Sequence, residues 1–229
     1  MTGLAVRSAA EEQMDAAELP AAVYDRVLRD LSRVNRWTLA ARPTLGFLRR
    51  ALRGRRSFSL LDVGFGGGDM LRAIAAWAAA RGLDARLVGV DLNPKSAPVA
   101  RALTPADAPI EYRTGDYAAQ PERFDLVVSS LVAHHMTPDQ LRAFLRYMEG
   151  SAHLGWLVND LHRHRLAHAG YPLLARLLAT HRIVREDGTL SIARSFRPPE
   201  WDALLAEAGV AGARVVRRFP FRLCVERLR

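Results

Sequence analysis

Four of the five residues from Gly64 to Gly68 are glycine, in the run Leu60-Leu61-Asp62-Val63-Gly64-Phe65-Gly66-Gly67-Gly68-Asp69. Glycines at that density let a ligand approach the backbone and let the chain turn tightly from a strand into a helix. The spacing is not Gly-x-Gly-x-x-Gly, because Asp69 stands where the last glycine of that dinucleotide fingerprint would fall. Asp62 and Asp69 would repel a pyrophosphate, whereas they suit a ligand that carries positive charge. Asp91 closes the next apolar run, residues 87–90, where its carboxylate can accept hydrogen bonds from both hydroxyls of a ribose. A nucleoside with a cationic methionine tail, S-adenosylmethionine, meets these demands better than NAD does.

His134-His135 follows the fourth apolar run and precedes Thr137-Pro138-Asp139, a helix start. An imidazole there could take a phenolic proton or orient the oxygen for an in-line displacement at carbon, and His135 is favoured as that base. The alternative assigns one histidine to the cofactor wall and the other to packing or capping. Asn159-Asp160 ends the fifth apolar run. Asp160 could orient an imidazole or a polar acceptor, or simply cap the next helix, and Arg163 could stabilise an anionic substrate. His162, His164 and His168 lack a cysteine or carboxylate pattern to complete a site, so no metal is expected.

The elements that must hold these residues alternate. Residues 58–63 read as a strand, residues 70–80 as a helix ending at Arg81-Gly82, and residues 87–90, 110–113, 124–129 and 153–158 as further strands. A segment up to Leu103 and residues 138–148 supply intervening helices. Residues 161–181 are expected to be helical, 182–195 too polar and turn-rich to assign, 198–208 helical with Gly209 closing the helix, and 213–216 and 221–225 a closely connected strand pair. Strand followed by helix, repeated, argues for a doubly wound α/β sheet. Ahead of it, Met14, Leu19, Val23, Val27, Leu28 and Leu31 fall on one helical face over residues 14–31, and residues 37–52 give a second helical pattern crossed by Pro43. These two are expected to cap the sheet.

The chain resembles the class I S-adenosylmethionine-dependent methyltransferases over most of residues 58–229. Leu61 to Gly68 matches their first motif, with Phe65 in place of the usual small residue or Cys. Gly89-Val90-Asp91-Leu92-Asn93, Gly115-Asp116-Tyr117 and Phe124 to Ser130 follow in the family's order. The resemblance implies a mostly parallel seven-stranded sheet with an antiparallel final strand. It also implies S-adenosylmethionine as donor, lined by Asp62, Gly64, Gly66 and Gly68, with Asp91 on the ribose, Leu92 over the adenine, and Asp116 and Tyr117 at the adenine edge. The His-His pair and the late segment Arg194 to Trp201 are similar to those of small-molecule methyltransferases of aromatic polyketide and quinone-type metabolism. That implies O-methylation of a hydrophobic phenol or hydroxyquinone. C- or N-methylation of a small metabolite is the nearest alternative, and a cofactor-binding interaction protein with a basic face is the other. Residues 1–57 are then a helical cap able to act as an acceptor lid, and 58–229 the catalytic domain with a helical insertion at 161–197, where Tyr171, Leu173, Leu174, Leu177 and Leu178 could wall the substrate.

Composition fits this and excludes much else. At 229 residues, 49% hydrophobic and 25% charged, the chain is neither disordered nor fibrous. The lone cysteine, Cys224, makes neither an internal disulfide nor a cysteine zinc site, and with no secretory signal or membrane-length apolar run the expected setting is cytoplasmic. The net charge of +9 comes from 32 Arg and Lys95. Residues 1–25 hold five acids and one Arg, whereas 26–60 hold ten Arg and only Asp30, a basic collar suited to an anionic partner. No zinc finger or single-strand reader accompanies it, which disfavours nucleic acid. The oligomeric state is left open.

Overall fold

A computed structural model describes residues 4–229. The apolar runs become seven strands: β1 (Ser57–Val63), β2 (Asp84–Asp91), β3 (Ile110–Thr114), β4 (Phe124–Ser130), β5 (Ala152–Leu161), β6 (Arg214–Arg218) and β7 (Arg222–Leu228). Their near-continuous apolar character suits strands buried on both faces, as parallel strands joined by helices must be. The order is β3-β2-β1-β4-β5-β7-β6. β1 to β5 are parallel, and β7 runs antiparallel between β5 and β6. The expected doubly wound, mostly parallel seven-stranded sheet with an antiparallel final strand is therefore present.

Helices cover both faces. α5 (Pro138–Ser151) and α8 (Pro198–Ala208) pack Leu141, Phe144, Trp201 and Leu205 against Leu61, Val63 and Val127. Local chemistry fixes their ends: Thr137 and Gln140 form a reciprocal capping box at α5, and Gly209 closes α8 in the left-handed conformation at φ 72°. On the other face lie α2 (Ala41–Ala51), α3 (Asp69–Ala79) and α4 (Ser96–Ala102), contributing Phe47, Leu48, Leu71, Ile74 and Ala97 to a second core.

The two N-terminal helices thus have different jobs. α2 is part of the sheet's covering layer, with Phe47 and Leu48 fully buried beside Leu60 and Leu157. α1 (Ala21–Trp37) lies over the carboxyl edge of the sheet, where Val27 and Val34 pack on Ile183 and Val184, and Tyr24 and Leu28 on Val99. It begins later than periodicity suggested because Pro20 takes the N-cap position, and Met14 belongs to a short 3-10 turn, Gln13–Asp15. Leu39, at φ 52°, separates α1 from α2.

The insertion after β5 forms α6 (Arg165–Leu177) and α7 (Arg182–Arg194). Residues too polar to assign from sequence are helical because their polar groups meet the N-terminal segment. Asp187 accepts hydrogen bonds from the backbone N–H groups of Gln13 and Met14, and Ser191 Oγ donates to Glu12 Oε1 at 2.8 Å. Among the described residues no helix is long and apolar enough to cross a membrane.

Candidate active site

The carboxyl ends of β1, β2, β4 and β5, the α1–α2 junction, α6 and α7 enclose a cavity of about 620 Å³. At one end is the glycine turn between β1 and α3. Gly64, Gly66 and Gly68 all have positive φ, 76°, 51° and 73°, which disfavours any side chain there. A Cβ on Gly64 would collide with Val132 and one on Gly68 with the Tyr112 hydroxyl, so the turn packs closely on both sides. A Cβ on Gly66 would meet only Leu28 of α1, at 3.6 Å, and Gly66 lines the cavity.

Asp91 ends β2 and faces the cavity. Its Oδ2 accepts from Gly66 N at 2.8 Å and Oδ1 from Asn93 N at 2.9 Å, which fixes the carboxylate while leaving lone pairs for a ligand. Burial raises its pKa against those two hydrogen bonds. Leu92 lines the same end and is 71% exposed, an apolar lip with no protein partner covering it. Tyr117 lines the far wall while packing edge-on to Phe144 and Tyr147.

Asp62 and Asp116 sit differently from the lining residues. Asp62 is 1% exposed beneath the turn, its Oδ1 has no hydrogen-bond partner, and burial with Asp69 and Asp91 pushes it up to about 8. An unpartnered acid under a glycine cradle fits a ligand with a cationic end and not a pyrophosphate. Asp116 is exposed and outside the lining, where its Oδ1 accepts from Ala118 N to cap a short 3-10 turn, Tyr117–Ala119.

The two histidines lie on a 3-10 turn, Ala133–His135, after β4. His134 is 2% exposed and its Nδ1 lies 2.7 Å from Asp160 Oδ1, at the end of β5. Asp160 also accepts from the backbone N–H groups of His134 and Leu161. Burial would raise this carboxyl, but the charge and hydrogen bond of His134 together with those two N–H groups outweigh it and hold it below the usual range. In the neutral ring, an Nδ1–H donated to Asp160 leaves Nε2 as the acceptor. His135, favoured from sequence, is instead tied through Nδ1 to Asp15 Oδ2 at 2.8 Å. Burial opposes its charge, yet the bond to Asp15 and the nearby Glu12 raise its pKa. Both imidazoles line the cavity.

Sequence reasoning missed Glu12 and Asp15, which reach the histidines from some 120 residues away. Glu12 Oε1 is 3.6 Å from His134 Nε2 and Oε2 is 3.8 Å from His135 Nε2. These three side chains are the one metal-capable donor set among the described residues. Ser191 Oγ and the Arg194 guanidinium, 3.9 Å away, already supply Glu12 with a hydrogen bond and positive charge. Arg163, considered for an anionic substrate, is buried and committed to Glu200 and the Ser195 carbonyl. Of the expected apolar wall, Tyr171 and Leu174 line the cavity, whereas Leu173 and Leu177 face solvent and Leu178 packs against α1. Phe196 and Trp201 belong to the core.

Residues 60–152 match the family model described as a methyltransferase domain. That segment is similar to a methyltransferase domain, and the sheet has the strand order and antiparallel closure of the class I S-adenosylmethionine-dependent methyltransferase fold. No curated protein matches it by sequence. Among solved structures it is similar to magnesium protoporphyrin IX methyltransferase from Synechocystis with bound S-adenosylhomocysteine, at 14% identity and a TM-score of 0.57, over 84% of this chain and 82% of that one. Human N-acetylserotonin methyltransferase in complex with S-adenosylmethionine gives a TM-score of 0.64 at 14% identity, over 92% of this chain and 56% of that one. A proposed O-methyltransferase of Nostoc punctiforme gives 0.59 at 15% identity, over 90% and 60%.

Proposed function

We propose that the protein is an S-adenosylmethionine-dependent O-methyltransferase acting on a small aromatic hydroxyl compound. The observation that carries the reading is one continuous cavity with a cation-compatible glycine cradle at one end, a buried Asp160–His134 pair on its wall, and apolar side chains elsewhere.

When bound, S-adenosylmethionine supplies an electrophilic methyl group on a sulfonium. Gly64, Gly66 and Gly67 give the donor a close-fitting backbone, Asp91 receives the ribose hydroxyls, and Leu92 and Tyr117 flank the adenine. Val27, Leu31, Val34, Tyr171, Leu174, Ile183 and Val184 line the remainder and favour an apolar acceptor. Trp37, Leu166 and Phe221 line the cavity too and remain partly exposed, which gives it an apolar rim. Water kept out of such a site strengthens every charge interaction within it.

His134 is the base in this reading, in place of His135. With Nδ1–H donated to Asp160, its Nε2 lone pair accepts the phenolic proton, and the ionised Asp160 stabilises the imidazolium that results. His135, Asp15 and Glu12 anchor the N-terminal segment over this pair. That segment, α1, and the α6–α7 insertion make up the acceptor lid, and the two solved neighbours named for magnesium protoporphyrin IX and N-acetylserotonin support a ring-bearing acceptor.

Calorimetric titration of S-adenosylhomocysteine, with NADH under matched conditions, tests the donor. Turnover on a panel of phenols and hydroxyquinones, with the transferred methyl mapped, tests the acceptor atom. Selective NADH binding overturns the first part, and methyl found on carbon or nitrogen overturns the second.

A further inference from the structure

Arg222 opens β7 and lines the cavity, yet it is only 2% exposed. Its Nη2 donates to Thr38 Oγ1 at 3.1 Å, while Nε and Nη1 have no hydrogen-bond partner. Three N–H groups, one on Nε and two on Nη1, are thus buried without an acceptor. An arginine cannot shed its proton to escape this, so the position is unfavourable until an anion arrives. The other buried arginines are better satisfied: Arg163 pairs with Glu200 and donates to the Ser195 carbonyl, leaving only Nε unpartnered, and Arg194 donates to the carbonyls of Ala10, His134 and His135.

Strand alternation sets Arg222 on the same sheet face as Ser130 and Asp62, the face that carries Cys224, Val128 and Leu60. Ser130 also lines the cavity, and its Oγ is buried without a partner. Burial lowers the Arg222 pKa, and the negative groups that oppose this, Asp160 and Asp69, make no hydrogen bond to it. Their charge disfavours a doubly charged phosphate and tolerates a single negative charge.

We propose that Arg222 is the carboxylate receptor of this cavity, serving either the amino-acid end of the methyl donor or an acidic group on the acceptor. The inference rests on the donor reading given above. It adds a recognition residue from the last strand of the sheet, far in sequence from the glycine turn.

Titration of wild type and Arg222→Met with S-adenosylhomocysteine and with 5′-deoxy-5′-methylthioadenosine, which lacks the amino-acid end, separates the cases. If the donor supplies the carboxylate, the variant binds S-adenosylhomocysteine about 10- to 100-fold more weakly and methylthioadenosine unchanged. If the acceptor supplies it, both nucleosides bind as before, and kcat/KM for carboxylated phenols falls by that factor relative to their methyl esters. Either result supports the assignment. A folded variant in which the two affinities and the acceptor preference are all unchanged overturns it alone. Wild type that binds neither nucleoside overturns the donor reading, and this inference with it. The variant is expected to melt at or above the wild-type temperature, since it removes an unpaired buried charge; a purely structural arginine would give a lower melting temperature with the nucleoside preference intact. If Met does not fold, Arg222→Lys, which keeps the charge and loses the planar fork, carries the same comparison with a loss of about 10-fold.

Discussion

Replacing Asp62 with asparagine removes a carboxyl whose Oδ1 is buried without a partner and which burial, with Asp69 and Asp91 adding, holds at about 8. In the unfolded chain the same group titrates near its ordinary value of about 3.9. Between these values the folded protein keeps the proton and the unfolded chain releases it. Raising the pH therefore favours the unfolded state, and the wild type loses stability from about pH 4 to about pH 8, where the slope levels off. The loss approaches about 1.4 kcal/mol per pH unit, which integrates to roughly 3.5 kcal/mol between pH 5 and pH 8. Asparagine has nearly the same shape and does not titrate, so the difference between the two proteins isolates this one carboxyl.

The assay is urea unfolding at pH 5, 6, 7 and 8, followed by tryptophan fluorescence, with the buried Trp156 and Trp201 as reporters. Asp62→Asn is expected to exceed the wild type by a margin that grows as the pH rises from about 5 to about 8. Stability curves that stay parallel across this range would refute the reasoning. They would mean that Asp62 finds a partner in solution, or enough water to ionise normally.

Three further outcomes follow from the same geometry. His134→Gln and Asp160→Asn should each lower kcat by about 10²- to 10⁴-fold with S-adenosylhomocysteine affinity unchanged, and His135→Gln by much less; steady-state kinetics beside calorimetry would expose the reverse order. Asp15→Asn should lower the His135 pKa, read by NMR titration of the ring protons. Because the folded His135 pKa is raised, its contribution is complete below about 6.5 and fades as pH climbs through the folded value, while the depressed Asp15 contributes above about 3.9 and fades as pH falls through its own. The stability lost in Asp15→Asn should therefore be greatest between about pH 4 and 6.5 and shrink on either side. Phe47→Ala should cost about 3–5 kcal/mol by chemical denaturation, since Phe47 is fully buried in the sheet's covering layer; a loss below 1 kcal/mol would mean that α2 is a detachable cap after all.

The sheet and the glycine turn were legible because their signals are local. A β-strand between helices shows in apolar runs, and a turn with three positive-φ positions needs glycine whatever surrounds it. Thr137-Pro138 and Gly209 mark helix ends through chemistry within a few residues. The histidine end of the cavity was legible only as a set of residue types. His134 and His135 are adjacent in sequence, and nothing local says which one Asp160 will meet. That choice follows from the register of β4 against β5, which pairs Ser130 with Asn159 and brings the following turn to Asp160. Helix α7 was unreadable for the same reason: Asp187, Ser191 and Arg194 look like a turn until Glu12, Gln13 and Met14 supply partners from more than 170 residues away. Arg222 gave no signal at all, because one arginine among 32 is distinguished only by burial.

The buried polar groups on this sheet sort by whether the protein itself satisfies them. Asn159 donates to the Ala40 carbonyl and Thr44, Ser129 to the Val63 carbonyl, and Asp160 accepts three hydrogen bonds; these fix the strand ends, the α1–α2 junction and His134. Asp62 Oδ1, Ser130 Oγ and two nitrogens of Arg222 stay unpaired on one face of the sheet. Asp62 and Arg222 do not relieve each other, because β4 and β5 stand between β1 and β7, which alone separates them by about 14 Å at the usual strand spacing. A buried group left unpaired costs about 1–3 kcal/mol, more if charged. An amino-acid end, whose ammonium and carboxylate share one carbon, cannot span that gap, so a ligand carboxylate relieves Arg222 and leaves Asp62 beneath the turn. Replacing Arg222 with a neutral residue then removes a cost from the free protein and a contact from the bound one, so stability should rise as affinity falls, whereas Asp62→Asn should raise stability alone at neutral to mildly alkaline pH.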